Sequence, residues 1–196
     1  MRPILSSSVV RREIVGVMGS HSDAYPERSE VVGRWIASQG YHLLTGAGWG
    51  VMGTVSRAFA EVGDRPGRVI GIVPSIEDSE DGIPLPEYPN PWVEIPIYTH
   101  LGVGKLAGDE FRSRNHINVL TSSAIILLPG GEGTSSEARL AVRYKKPCIG
   151  FLSSRSEIPM LPVDIPVEDD FLRIIAFLRK HLGLSARRTD VLPQSC

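Results

Sequence analysis

The sequence predicts an α/β domain built on a doubly wound, mostly parallel sheet. Three observations point there. Short, fully apolar runs alternate along the chain with amphipathic helical stretches, the pattern of a sheet covered on both faces. Two glycine-rich turns, at residues 45–53 and 129–134, each leave an apolar run and enter a helical pattern. The 196 residues suit one domain with a full core, and neither an internal repeat nor an interdomain linker interrupts them.

The elements follow in order. "IVGVMG" (residues 14–19) is short, apolar and rich in β-branched residues, hence a buried first strand. "ERSEVVGRWIASQG" then places Val31, Val32, Trp35 and Ile36 on one helical face, with Gly40 as the stop. "YHLLT" is the second strand, and "WGVMGTVSRAFAEVG" the second helix, carrying Val51, Val55 and Phe59. "RVIGIVP" is the third strand. Residues 75–91 are irregular and rich in proline and acid, a loop long enough to suggest function. "WVEIPIY" is the fourth strand, residues 105–122 read as a helix, and "AIILLP" is the fifth strand. "TSSEARLAVRYKK" is the next helix and "PCIGFL" the sixth strand. A last helix is expected over residues 167–182. Glu168, Asp169 and Asp170 stand at its start and Arg179, Lys180 and His181 at its end, which suits the helix dipole. Residues 1–13 read as a flexible arm and 184–196 as a flexible tail, which leaves 14–183 as the domain.

Composition excludes several classes. The net charge of -1 provides no bulk attraction to a nucleic acid polymer or an anionic membrane. The longest apolar runs are too short to span a bilayer, and "MRPILSSSVVRRE" lacks the apolar stretch of a secretory signal. Two cysteines, Cys148 and Cys196, form no disulfide framework and fit a reducing cytoplasm. No Cys/His/Asp cluster has metal-ligand spacing, so no metal site is expected, and no serine sits in a nucleophile elbow.

In such a sheet, ligands bind beyond the carboxyl ends of the strands. In "TGAGWGVMG", Gly48, Gly50 and Gly53 fit G-x-G-x-x-G. A dinucleotide fingerprint belongs after the first strand, with an acid closing the next strand to hold a ribose. Here the turn follows the second strand, and the third ends in Val73-Pro74, which disfavours a nicotinamide dinucleotide. Tight turning and close helix–sheet packing are the alternative use of these glycines. In the second turn, Gly130, Gly131 and Gly133 let backbone N–H groups face one concavity, and Thr134 adds a hydroxyl at a helix start. That arrangement suits an anion. Two such turns at one sheet edge point to a phosphate-bearing ligand.

Glu137 falls in the first turns of that helix. It is either a partner for the dipole or a carboxylate facing an electron-poor carbon. Arg112 and Arg114 precede the fifth strand. Arg114 is the better candidate, because "RNHINVL" leads directly into that strand and a guanidinium there could fork onto phosphate. Asn115 and His116 lie beside it. His21 and His100 rank below His116.

"PGGEGTSSE" resembles the P-G-G-x-G-T-x-x-E signature of the LONELY GUY (LOG) family, a lysine-decarboxylase-like superfamily. Arg114 stands at the spacing of that family's motif arginine. "TGAGWGVMG" resembles its other glycine loop, "GIVP" its third strand, and "GVMGSHS" its first strand and turn, which brings Ser20 into the candidate set. The resemblance covers residues 14–152. It implies a Rossmann-like fold, a homodimer or larger homo-oligomer, and no cofactor. It also implies hydrolysis of the N-glycosidic bond of nucleoside 5′-monophosphates, cytokinin ribotides among them, to free base and ribose 5-phosphate.

On that reading Glu137 and Arg114 are catalytic. Gly130, Gly131, Gly133, Thr134, Gly48, Gly50 and Ser20 hold the phosphate or nucleotide. The carboxylate would stabilise positive charge at the anomeric carbon and orient water. The chain also departs from the pattern. Asn115 replaces the usual lysine, Ala47 replaces a glycine, and Trp49 is unusual. The "RN" of Arg114 and Asn115 and the loop ending "GVM" resemble a sister branch, the molybdenum cofactor carrier proteins, which bind a phosphate-bearing pterin without chemistry; the alternative function is thus a non-catalytic carrier or sensor of such a ligand or of a nucleotide. Pro129 favours the enzyme branch and Asn115 the carrier branch.

Overall fold

The computed structural model describes residues 11–76, 82–102 and 113–182. The expected tail, most of the expected arm, Arg112 and the first part of the helix expected over 105–122 lie outside the described residues. One seven-stranded sheet organises the chain: β1 (Ile14–Met18), β2 (His42–Thr45), β3 (Val69–Val73), β4 (Ile95–Tyr98), β5 (Ala124–Leu127), β6 (Cys148–Phe151) and β7 (Val167–Glu168). Their order is β4-β3-β2-β1-β5-β6-β7, and every neighbouring pair is parallel. The fold is therefore the Rossmann-like, doubly wound sheet that the sequence predicts.

The winding reverses at β1. Strands β2 to β4 build outward on one side and β5 to β7 on the other, so the crevice of such a sheet falls at the carboxyl ends of β1 and its neighbours.

Side chains alternate across the sheet. Val15, Val17, Leu43 and Ile126 face a core made with α1 (Pro26–Ser38), α2 (Val51–Ala60) and α5 (Phe171–Leu182). Met18, Leu44, Ile125 and Leu127 face a second core made with α3 (Asn115–Thr121) and α4 (Glu132–Arg143). This period of two, with both faces buried, explains why the strands read as continuous apolar runs. Helix ends follow their own chemistry. Pro26 opens α1, and Gly40 closes it at φ +77°, a region that favours glycine.

Two elements differ from expectation. The helix expected over 167–182 begins only at Phe171, because Val167 and Glu168 are drawn into the sheet. The Gly150 amide donates to the Pro166 carbonyl (2.9 Å) and the Leu152 amide to the Glu168 carbonyl (3.0 Å). Asp170 then caps the helix, its Oδ1 accepting from the Leu172 amide at 2.8 Å. Of the helix expected over 105–122, the described residues show Asn115–Thr121.

Helices α1 and α2 meet closely at Gly33. A Cβ there would lie 2.5 Å from the Val55 carbonyl oxygen and 3.1 Å from the Phe59 nitrogen, and neither backbone atom can yield cheaply. Gly33→Leu should therefore destabilise the fold by about 2 kcal/mol and lower the melting temperature by roughly 4–8 °C. A melt within a degree or so of wild type would show that the helices can part freely.

Candidate functional site

A cleft of about 620 Å³ opens at the winding reversal. Its walls come from the turn after β1, from Met52 on α2, from the β3–β4 connection at Leu85–Tyr88, and from the first residues of α3 and α4. Long-separated stretches of chain meet there because the parallel sheet brings their strand ends to one edge.

The start of α4 forms one end. Its N-cap is Gly131, and no side chain caps it. The first helical bond of α4 runs from the Ser135 amide to the Gly131 carbonyl, 3.0 Å. The amides of Glu132, Gly133 and Thr134 thus precede the helical ladder and have no partner within it. Gly131, Gly133 and Thr134 line the cleft, and a Cβ at Gly131 or Gly133 would meet nothing within 4 Å.

Gly130 is different. Its amide donates to the Glu157 carbonyl at 3.1 Å, and a Cβ on it would strike Thr134 Oγ1. It allows close packing and does not present a free donor.

Ser20 lines the cleft, but its hydroxyl serves its own turn. It accepts from the Ser22 and Asp23 amides (3.3 and 3.0 Å) and donates to Asp23 Oδ2 (3.1 Å). The other glycine turn is closed. The Ser20 carbonyl accepts the Val51 amide at 2.9 Å and so occupies the start of α2. Gly50, at φ +58°, allows this approach, since a Cβ there would lie 2.5 Å from the carbonyl oxygens of Ser20 and His21. Gly50 therefore packs the Ser20 turn against α2 and is not part of the cleft lining. Gly48 sits behind the lining, where a Cβ would come within 2.9 Å of both His21 and Tyr88.

Arg114 and Glu137 both line the cleft and are both buried, at 6% and 8% exposure. The Arg114 Nη1 donates to the Gly46 carbonyl and to the Ile72 carbonyl (2.6 Å), and the guanidinium lies 5.4 Å from the centre of the Tyr88 ring. That nitrogen is held by backbone carbonyls at strand ends, while Nε is buried without a hydrogen-bond partner. Burial, the largest influence, pulls its pKa below the usual value.

Glu137 Oε1 accepts from Asn118 Nδ2 at 2.8 Å. Burial pushes its carboxyl from an ordinary 4.5 up to about 7, against the Asn118 hydrogen bond and the Arg114 charge, which lower it. At neutral pH it is near half protonation, able to give or accept a proton.

Asn115 also lines the cleft and donates to Ser136 Oγ at 3.2 Å. His21 lines it too. His116 lies outside the lining, its Nδ1 2.6 Å from the Tyr144 hydroxyl, and His100 is exposed elsewhere. Among the described residues no group of three or more His, Cys, Asp or Glu could hold a metal, and no helix is long and apolar enough to cross a membrane.

Sequence reasoning missed Asn118, Asn90 and Tyr88. Asn90 Nδ2 holds the Gly48 carbonyl at 2.8 Å, and Tyr88 packs on Arg114. For Asn118 a signal existed, an amide four residues after Arg114 on the same helix.

A family model, the SLOG cluster4 family, matches residues 12–164. Among solved structures, the Moco carrier protein from Chlamydomonas reinhardtii is 28% identical, with a TM-score of 0.66, over 88% of this chain and 99% of that one. The molybdenum cofactor binding protein from the phototrophic bacterium Rippkaea orientalis is 28% identical, with a TM-score of 0.64, over 87% and 97%. The structure of TM1055 is 21% identical with a TM-score of 0.59, over 84% and 98%, and shares the fold. No curated protein matches the sequence.

Two expectations follow from this geometry. In the folded chain Glu137 holds its proton up to about pH 7, and in the unfolded chain only to its ordinary 4.5. The folded state binds protons better between those values, so raising the pH across this window lowers stability. Denaturant titrations from about pH 5 to about pH 8 should show wild type losing about 3 kcal/mol relative to Glu137→Gln. Parallel curves would mean that the carboxyl is not held neutral. Gly131→Val, with open space around its Cβ, should fold and melt like wild type but lose phosphate binding, as read by calorimetry. Retained binding would remove this turn from the site.

Proposed function

The chain belongs to the SLOG cluster4 family, and on that premise we propose that it is a carrier of a phosphate-bearing heterocycle of the molybdenum cofactor kind. The observation that carries this reading is the open start of α4 at one end of a cleft large enough for a small-molecule ligand. The amides of Gly133 and Thr134, with the Thr134 hydroxyl, would take the phosphate, where free N–H groups and the helix dipole favour an anion. Two proteins named for molybdenum cofactor binding or carriage match almost end to end at 28% identity. On this reading Arg114, its Nη1 bound to two backbone carbonyls, would build the wall of the site.

Glu137 would couple binding to protons. An ionised carboxylate repels phosphate and a neutral carboxyl can donate to it, so ligand affinity should rise as pH falls through about 7. Glu137→Gln should bind at least as tightly and lose that dependence.

A second reading is hydrolysis of a nucleoside 5′-monophosphate at its N-glycosidic bond. Glu137 favours it, because a buried carboxyl with a pKa of about 7 facing a cleft suits general acid–base work. In that case the carboxylate would stabilise charge at the anomeric carbon, and Glu137→Gln would lower turnover by roughly a hundredfold or more. We further propose a homodimer or larger homo-oligomer, supported by exposed Ile95, Ile97 and Tyr98 on edge strand β4.

One experiment separates the readings. Purified protein is titrated with molybdenum cofactor and, separately, incubated with AMP and the other common nucleoside monophosphates. The carrier reading expects stoichiometric cofactor binding and no free base. Release of base, abolished in Glu137→Gln, would replace it with the hydrolase. Failure to bind the cofactor at all would overturn it.

A further inference from the structure

Resting on the phosphate-bearing ligand proposed above, the geometry points to Tyr88 as the seat of the ligand's planar ring, a place now taken by His21. The His21 imidazole lies nearly parallel to the Tyr88 ring, with an interplanar angle of 9° and a centroid separation of 5.8 Å. That is an offset stack of the kind flat heterocycles make on tyrosine. His21 Nδ1 is also 3.2 Å from the Tyr88 hydroxyl. Both side chains line the cleft that the start of α4 enters.

The two partners are held very differently. Tyr88 is braced from several directions. The Arg114 guanidinium lies over its ring, and Arg114 is itself fixed to the ends of β2 and β3. The preceding carbonyl, Glu87, accepts from Trp49 Nε1 at 3.1 Å. Two residues on, Asn90 ties the same segment to the Gly48 carbonyl. His21 is exposed, and its ring contacts run to Tyr88. Its backbone belongs to the Ser20 turn, so the imidazole can leave without disturbing the fold. A fixed plate covered by an exposed, exchangeable imidazole is a preformed stacking site with a stand-in on it.

Gly48 fits this assignment. A side chain there would meet His21 Nδ1, the Tyr88 hydroxyl and Met52 Cε, all within 2.9 Å, and would push that wall into the cleft. Leu85, Pro86 and Met52 add apolar surface around the plate. The ligand class is therefore a phosphate monoester carrying a flat heterocycle, with phosphate on α4 and ring on Tyr88. The ring displaces His21.

The test uses three probes: inorganic phosphate, an unphosphorylated pterin, and a pterin with a phosphate monoester on its side chain. Pterin fluorescence quenching reports the ring, and calorimetry reports phosphate. Tyr88→Leu should weaken both pterins by about tenfold or more, the scale of one lost base–aromatic stack, and leave inorganic phosphate unchanged. Tyr88→Phe should keep the ring affinity. His21→Ala, at an exposed position, should tighten both pterins by removing the competitor. Weaker pterin binding by His21→Ala, or unchanged binding by a folded Tyr88→Leu, would overturn the assignment. If phosphate fails to bind while the bare pterin still responds to Tyr88, the phosphate reading falls and the ring seat stands.

Discussion

A guanidinium buried where two strands end sets the form of the site. A charge out of water is costly unless acceptors meet it. Arg114 meets the carbonyls of Gly46 and Ile72, the first residue after β2 and a residue within β3. One nitrogen thereby fixes the spacing of two strand ends and anchors the entry to α3. The Tyr88 ring against the same guanidinium fixes the β3–β4 connection, which would otherwise be a loose proline-rich excursion. Glu137 is the second buried charge, and its state is set by competition. Burial raises its pKa, while the Asn118 hydrogen bond and the Arg114 charge lower it, with burial the largest of the three. Removing Arg114 would thus loosen two walls and also leave Glu137 more firmly protonated.

The two glycine turns show how one local pattern can serve opposite ends. Both follow a strand and enter a helix. At α2 the helix start is stoppered by the Ser20 carbonyl, and Gly50 exists to let that carbonyl in. At α4 no side chain caps the helix, and the space around Gly131 and Gly133 is open. The stopper arrives from the turn after β1, about thirty residues earlier in the chain. Spacing within a glycine motif holds no information about that visitor, so the closed turn and the open one read alike in sequence.

The same distinction accounts for what the sequence conveyed. Strands β1, β3, β5 and β6 are legible because both their faces are buried, which makes each an apolar run, and β2 is legible from its buried Leu43 and Leu44. β7 is not, because two residues, Val167 and Glu168, have no period, and acids at 168–170 imitate a helix start. The cleft-lining candidates legible in the sequence, Ser20, Gly131, Gly133, Thr134, Glu137 and Arg114, lie in or beside a pattern with fixed spacing. Tyr88 and Asn90 lie in an irregular stretch and act through contacts about 40 residues or more away in sequence: Asn90 on Gly48, Tyr88 on His21. Arg114 is legible as a site residue, but no local signal tells that its Nη1 is held by carbonyls 42 and 68 residues distant.

Fold and motif together leave carriage and hydrolysis on the same residues, and the difference between them is energetic. A carrier needs affinity for its ligand as it stands. An enzyme needs interactions that strengthen only as charge develops at the reacting carbon. On either proposed reading the start of α4 and the Tyr88 ring would meet groups whose charge and shape do not change, so they would contribute equally to ground state and transition state. Arg114 is locked to the backbone and belongs with them. Glu137 is a buried group of the cleft whose charge state is balanced near neutrality, and hence one able to respond to a change in its neighbour. In a carrier that response sets the pH at which a phosphate is held or released. In a hydrolase it would be the step itself. On the two proposed readings the site would combine a frame that either activity could use with a buried carboxyl, Glu137, whose charge would decide between them.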